Sequence, residues 1–229
     1  RYFDILSSLL LQNEVDIKGP WFEPTRSSYS AERLVQVLNF YTDFARPGRV
    51  SYSWNSDLPN AFEMFASGKL AYFFGYSYHA DELQARGMQF NWGITNFPQT
   101  RGAEGTKYYT DYWVNVVAKK SANPGPAWDF IQNASGQELV RSYLKTNKKP
   151  TALRSLITEQ LEDIDLRIFA SQVLTADNWY EGYNIGLAEQ YTAEILDGLV
   201  SEENPLVLSP QTLKLFKDRI NKTYMKTDE

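Results

Sequence analysis

The 229-residue chain has no cysteine and a single histidine, His79. Without thiols there are no disulfides, no thiolate metal sites and no cysteine nucleophile. One histidine cannot build a histidine-rich metal site, and the sequence has no phosphate loop, G-x-S-x-G elbow or H-E-x-x-H helix. No cofactor or metal is expected. Long apolar runs are also missing. The best, Ile5 to Leu11, is interrupted by Ser7 and Ser8 and falls far short of the roughly 20 residues that cross a bilayer. Basic charge is scarce: 23 Lys and Arg stand against 28 Asp and Glu, a net charge of -5 with the signs interspersed. No stripe is available to neutralise phosphates, so nucleic acid is not an expected partner.

What is present is apolar and aromatic. Hydrophobic residues make up 43% of the chain and aromatic residues 15%. A chain of this length buries roughly 70% of its unfolded surface, enough for one sizeable core or two small lobes. The chain opens on Arg1-Tyr2-Phe3-Asp4, without Met, already in a helical pattern with Tyr2, Leu6, Leu9 and Leu10 on one face. This reads as a shortened chain, and any leader or lipid anchor would lie upstream.

Val15 to Tyr29 is rich in Pro, Gly and Ser and reads as a loop ending at a cap, Ser30. Leu34, Val37, Leu38, Tyr41 and Phe44 then keep a 3.6-residue spacing until Arg46-Pro47-Gly48. Asp57 as cap and Pro59 in the first turn open a short helix with Phe62 and Phe65, closed by Gly68. Strands are expected at Leu70 to Phe74, Asn91 to Thr95 and Tyr112 to Val117, with a polar helix from His79 to Arg86. Thr100 to Thr106 is a polar crossing. Helices follow after Asn123-Pro124 and at Gln137 to Leu144, Ile157 to Ile164, Leu166 to Leu174, Tyr183 to Leu199 and Ser209 to Tyr224. Strands alternate with helices early and helices dominate late, which argues for an α/β class with a helix-rich C-terminal part.

The run Asn60-Ala61-Phe62-Glu63-Met64-Phe65-Ala66-Ser67-Gly68-Lys69-Leu70-Ala71 resembles the helix-turn-strand of the family 1 extracellular solute-binding proteins, the group that includes maltose-binding proteins. Phe90-Asn91-Trp92-Gly93-Ile94-Thr95-Asn96-Phe97-Pro98 follows at the family's spacing. Tyr112 to Ser121, Ala127 to Ile131 and Lys148 to Arg154 resemble the returning strand, the helix behind it and the segment before the C-terminal helices. The resemblance implies a periplasmic-binding-protein-like type II fold, mostly the C-terminal lobe with part of the N-terminal lobe. Residues 1–96 and 136–229 would belong mainly to the C-terminal lobe and 97–135 to the N-terminal lobe. It further implies capture of a small solute, of which a sugar is the leading case, in an interlobe cleft. The partners would be the membrane subunits of an ABC importer. The place would be extracytoplasmic, in the periplasm or on the outer face of the membrane, with membrane attachment only through an upstream lipoprotein anchor.

A sugar offers apolar C–H faces and a rim of hydroxyls, so its site needs flat rings and polar groups together. The resemblance places Tyr76 and Tyr78 in a loop with a stacking aromatic, Trp179, Tyr180 and Tyr183 before a late helix, and Tyr112 and Trp113 at a cleft edge. Trp54 lies in a loop able to reach the same side, while Asp111 and Arg154 add hydrogen-bonding charge. Trp128, Phe62, Phe65 and Phe74 are expected in the core. A bulky Tyr112, where sugar-binding relatives are glycine-rich, narrows the cleft and favours a smaller ligand or one that is not a sugar. Two other readings stand beside this one: a glycoside hydrolase using a carboxylate pair among Glu14, Asp57, Asp111, Asp177 and Glu181, and an adhesion or scaffold protein on the same fold. His79, at the start of a polar helix, is expected to be exposed.

Overall fold

The structure, a computed structural model, describes residues 2–17, 28–55, 57–103 and 105–225. Most of the loop expected from Val15 to Tyr29 lies outside these. In chain order the elements are α1 (Tyr2–Gln12), α2 (Ser28–Asp43), α3 (Ala61–Ala66), α4 (Ser77–Arg86), β1 (Tyr108–Tyr109), α5 (Pro124–Ala134), α6 (Gln137–Asn147), α7 (Arg154–Leu161), α8 (Arg167–Gln172), β2 (Ala176–Asp177), α9 (Ile185–Val200) and α10 (Pro210–Lys222). The two strands form a two-stranded sheet. The chain divides into two compact units: Arg1–Pro59, Gln99–Tyr109 and Asp177–Glu229 form the first, and Asn60–Pro98 with Thr110–Ala176 form the second. These boundaries differ from the lobe boundaries implied by the resemblance.

The first unit is helical, built on α1, α2, α9 and α10. Phe3, Leu6 and Leu10 recur along α1 at helical spacing, as do Leu34, Val37, Leu38 and Tyr41 on α2, and both stripes are buried. Ile195, Leu196 and Leu199 from α9 and Leu213, Phe216 and Ile220 from α10 complete the same cluster. The helix ends follow their local chemistry. Ser209 Oγ accepts the Thr212 N–H at 3.2 Å and Pro210 occupies the first turn of α10. Asn184 Oδ1 accepts the Leu187 N–H at 3.0 Å at the start of α9. α2 begins at Ser28, two residues before the expected cap Ser30, which is instead buried and accepts the Asp16 N–H at 3.3 Å.

One side chain ties the polar crossing to this unit. Buried Gln12, the last residue of α1, accepts the Thr100 N–H at 2.9 Å and donates Nε2–H to the Lys107 carbonyl at 3.4 Å. Gln99 Oε1 accepts the Lys107 N–H at 2.9 Å. Both ends of the 99–107 segment are thereby held by glutamine amides, which match a donor and an acceptor at once.

The second unit has a thinner core. Phe62, Leu83, Leu156, Ile157, Leu166 and Ala170 are buried, and buried Gln160 braces the turn before α7 by accepting the Thr151 N–H at 2.8 Å and donating to the Lys149 carbonyl at 2.7 Å. Asn60, not Asp57, caps α3, accepting the Phe62 N–H at 2.9 Å. The strands expected at Leu70 to Phe74, Asn91 to Thr95 and Tyr112 to Val117 are absent: these segments carry no ladder. A strand exists only where a neighbouring strand completes its hydrogen bonds, so apolar β-prone sequence does not suffice. Of the four expected core aromatics, Phe62 is buried and Phe65 half-buried, but Phe74 and Trp128 are 47% and 51% exposed. α5 has an apolar face, yet no residue of α5 or α6 is fully buried, because a helix face becomes core only where a second layer covers it.

Phe216→Ala, which empties a fully buried site on α10, is expected to lower the unfolding free energy by about 3–5 kcal/mol in urea titrations. Trp128→Ala is expected to cost less than about 1 kcal/mol in the same measurement.

Candidate functional site

The ten expected contact residues fall in both units. Tyr76, Tyr78, Asp111, Tyr112, Trp113 and Arg154 are in the second; Trp54, Trp179, Tyr180 and Tyr183 are in the first. In the second unit the structure brings two of them together. Tyr76 precedes α4 and Tyr78 is its second residue, and their rings lie 5.7 Å apart at 15°. Tyr78 remains 48% exposed, so part of its ring meets solvent. Asp111, Tyr112 and Trp113 are consecutive and exposed, Trp113 fully so at 100%. Arg154 is exposed on the first residue of α7.

His79 is not exposed as expected. It is half-buried among aromatic rings, and its Nδ1 accepts the Tyr76 N–H at 2.9 Å. Position N3 of a helix faces the open N–H groups of the first turn, so a side chain with an acceptor there closes one of them. The far end of α4 is fastened to α3 by a two-pronged pair, Arg86 Nη1 to Glu63 Oε2 at 2.8 Å and Nη2 to Oε1 at 2.9 Å, with the guanidinium 4.7 Å from the centre of the Phe62 ring. The hydrogen bonds from Arg86 hold the Glu63 carboxyl below its ordinary value.

In the first unit the expected contact residues are mostly committed to packing. Trp179 is buried against Phe3, and its indole N–H donates to the Val15 carbonyl at 2.9 Å. Tyr180 is buried in the core: its hydroxyl donates to Thr223 Oγ1 at 2.7 Å and accepts the Asn184 N–H at 3.2 Å. Tyr183 is exposed. Trp54 is half-buried, its ring 5.2 Å from Tyr2 and 4.9 Å from Tyr41. These placements follow from amphipathic rings satisfying their polar tip inside the fold, which loop position in a sequence does not reveal.

Sequence reasoning missed one feature here, an open cavity of about 230 Å³ edged by Trp179 and lined also by Asp16, Asp177, Asn178 and Glu181. Carboxylates and an amide beside an indole suit hydroxyl-bearing or cationic groups. The signal was present in Asp177-Asn178-Trp179-Tyr180-Glu181, but Asp16 joins it only through the fold. Among the described residues no group of three or more His, Asp or Glu side chains is arranged to hold a metal ion.

Residues 7–163 match the family model described as bacterial extracellular solute-binding protein. The fold is similar to a cyclo/maltodextrin-binding protein solved in complex with maltotetraose, with a TM-score of 0.68 and 14% sequence identity. The likeness covers 100% of this chain and 58% of that one, so the chain spans somewhat more than half the length of that protein. It places the chain in the α/β architecture expected from the sequence. No curated protein matches the sequence at a significant level.

Burial raises the Tyr41 hydroxyl well above its ordinary value of 10.0, and neighbouring Tyr2 adds to the shift. A folded-state value above the unfolded one means the contribution of this group is intact below pH about 10 and is lost as the pH rises beyond it. The urea midpoint is expected to fall between pH 9 and pH 11, and Tyr41→Phe to reduce that fall; an equal fall in the variant would assign the alkaline loss elsewhere.

Proposed function

The chain belongs to the bacterial extracellular solute-binding proteins, and from that membership we propose that it captures a small carbohydrate-like solute for delivery to the membrane subunits of an ABC importer. The observation that carries this reading is the Tyr76–Tyr78 pair: two nearly parallel rings at the start of α4, one of them half open to solvent. Rings presented in this way cover the C–H faces of a sugar. Trp113 and Tyr112 offer a second open aromatic surface, with the Asp111 carboxylate beside it to accept from hydroxyls. Tyr183 and Arg154 are further exposed contacts, and the carboxylates beside Trp179 accept in the same way. Tyr180 and Trp54 act through packing in this scheme.

The similarity in fold to a maltodextrin-binding protein supports the choice of carbohydrate. The proposed setting is extracytoplasmic. The lobes of the complete family fold would take 1–96 and 136–229 on one side and 97–135 on the other. Solute contacts that exist only in the closed arrangement would shift the population toward it, and the importer would read that closed form. No covalent chemistry is required.

A thermal-shift screen against monosaccharides, malto-oligosaccharides, amino acids and polyamines tests this. A ligand at 100 times its dissociation constant stabilises by about 2.7 kcal/mol, so a saturable rise in melting temperature is expected with carbohydrates. Trp113→Ala is expected to leave the ligand-free melting temperature unchanged and to weaken that carbohydrate at least tenfold. A shift confined to amino acids or polyamines would replace the ligand class, and no shift with any of them would favour the scaffold reading.

A further inference from the structure

The lone histidine lies at the centre of the aromatic group that the proposed function rests on. Helix α4 begins with backbone N–H groups that have no partner within the helix. The residue three positions into a helix normally closes one of them with Glu or Gln. Here an imidazole does so: His79 Nδ1 accepts the Tyr76 N–H at 2.9 Å. A nitrogen that accepts carries no proton, so in this state the ring is neutral and protonated at Nε2.

The same ring also supports Tyr78. The centroids of His79 and Tyr78 are 4.1 Å apart at 34°, so the imidazole backs one side of the phenol ring. Behind it stand Phe73, edge-on at 5.2 Å, and Phe62 at 5.6 Å. Phe62 is buried and capped by the Arg86 guanidinium, which Glu63 holds. The imidazole therefore rests on a fixed base. Gly75 makes the approach possible: a Cβ there would lie 2.6 Å from the Phe73 ring and 3.1 Å from His79 Nδ1.

One side chain thus fixes the backbone of Tyr76 through a hydrogen bond and the ring of Tyr78 through a face contact. We infer that His79 is a positioning residue for solute capture, setting the spacing and tilt of the Tyr76–Tyr78 rings without itself touching the solute. The inference rests on the proposed role of those two tyrosines. Preorganising the rings matters because an aromatic that must be ordered on binding spends part of its contact energy on losing rotamer freedom. Gln at position 79 can accept the same N–H, Phe can keep the ring contact, and Ala can do neither, so the three substitutions separate the two functions.

Two measurements without ligand come first. The ¹⁵N signals of the His79 side chain are expected to show an unprotonated Nδ1 and a protonated Nε2 at neutral pH, and His79→Ala is expected to speed exchange of the Tyr76 amide at least tenfold, with His79→Gln restoring most of the protection. A protonated Nδ1, or Tyr76 exchange unchanged in His79→Ala, overturns the inference whatever the protein binds. If His79→Ala does not fold, His79→Gln and His79→Phe carry the comparison: Phe is expected to release the Tyr76 amide and Gln to retain it.

Affinity is then read with maltotetraose as the probe. His79→Ala is expected to weaken binding at least tenfold, and Gln to recover part of the loss. Wild-type binding with His79→Ala within twofold of it overturns the positioning role alone. No wild-type binding of maltotetraose or of any carbohydrate in the screen overturns the carbohydrate reading, and the positioning role with it.

Discussion

The first unit depends on bringing together parts of the chain that are far apart in sequence. The hydrogen bond from Trp179 Nε1 to the Val15 carbonyl joins residues 164 positions apart, and the surrounding core takes α1 and α2 from the beginning and α9 and α10 from the end. Closing so long a loop carries an entropic cost, although that cost grows only logarithmically with length. It is offset by burying whole apolar faces, including Leu6, Leu10, Leu34, Leu38, Leu196, Phe216 and Ile220, at roughly 25 cal/mol per Å² of apolar surface. The buried indole N–H and Tyr180 hydroxyl add little net energy, but leaving either without a partner would cost about 1–3 kcal/mol. They therefore specify which helices meet more than they strengthen the meeting.

The second unit works differently. Its helices are short, its buried side chains are few, and much of its organisation comes from local devices: the Asn60 cap, the αL glycines Gly68 and Gly87 that end α3 and α4, and the Gln160 brace. Its ion pairs, Arg86 with Glu63 and Glu82, Arg141 with Glu138 and Glu159, and Lys148 with Asp165, lie at the surface, with every partner at least partly exposed. Such pairs contribute between nothing and about 1 kcal/mol each. Aromatic rings that a thicker core would cover stay accessible here, among them Tyr78, Tyr112 and Trp113, the open rings proposed to meet the solute. Exposed apolar rings are a binding resource because the water they release on contact is already unfavourably placed.

Much of the fold was legible in the sequence. The 3.6-residue stripe of α2, the Ser209-Pro210 entry to α10, the Gly87 stop of α4 and the motif Asn60 to Ala71 each fixed an element or a family likeness from neighbouring residues alone. The candidate site was legible only in part. Tyr76 and Tyr78 could be named from the family resemblance, which puts them in the loop after the segment Leu70 to Phe74, but Trp179 and Tyr180, equally aromatic and equally close to a loop, are core residues because Val15 and Thr223 come to meet them.

Sequence by itself determined the absence of cysteine chemistry, the family likeness, and the positions of most helices with the Ser209 cap of α10; helices are legible because a helix satisfies its hydrogen bonds within about four residues and so carries its instructions locally. Tertiary structure alone decided which aromatic rings are buried, why three strand-like segments form no ladder, and that His79 stands behind Tyr78. Those outcomes depend on partners supplied by distant segments or by the packing of several elements, and no local run of residues encodes them.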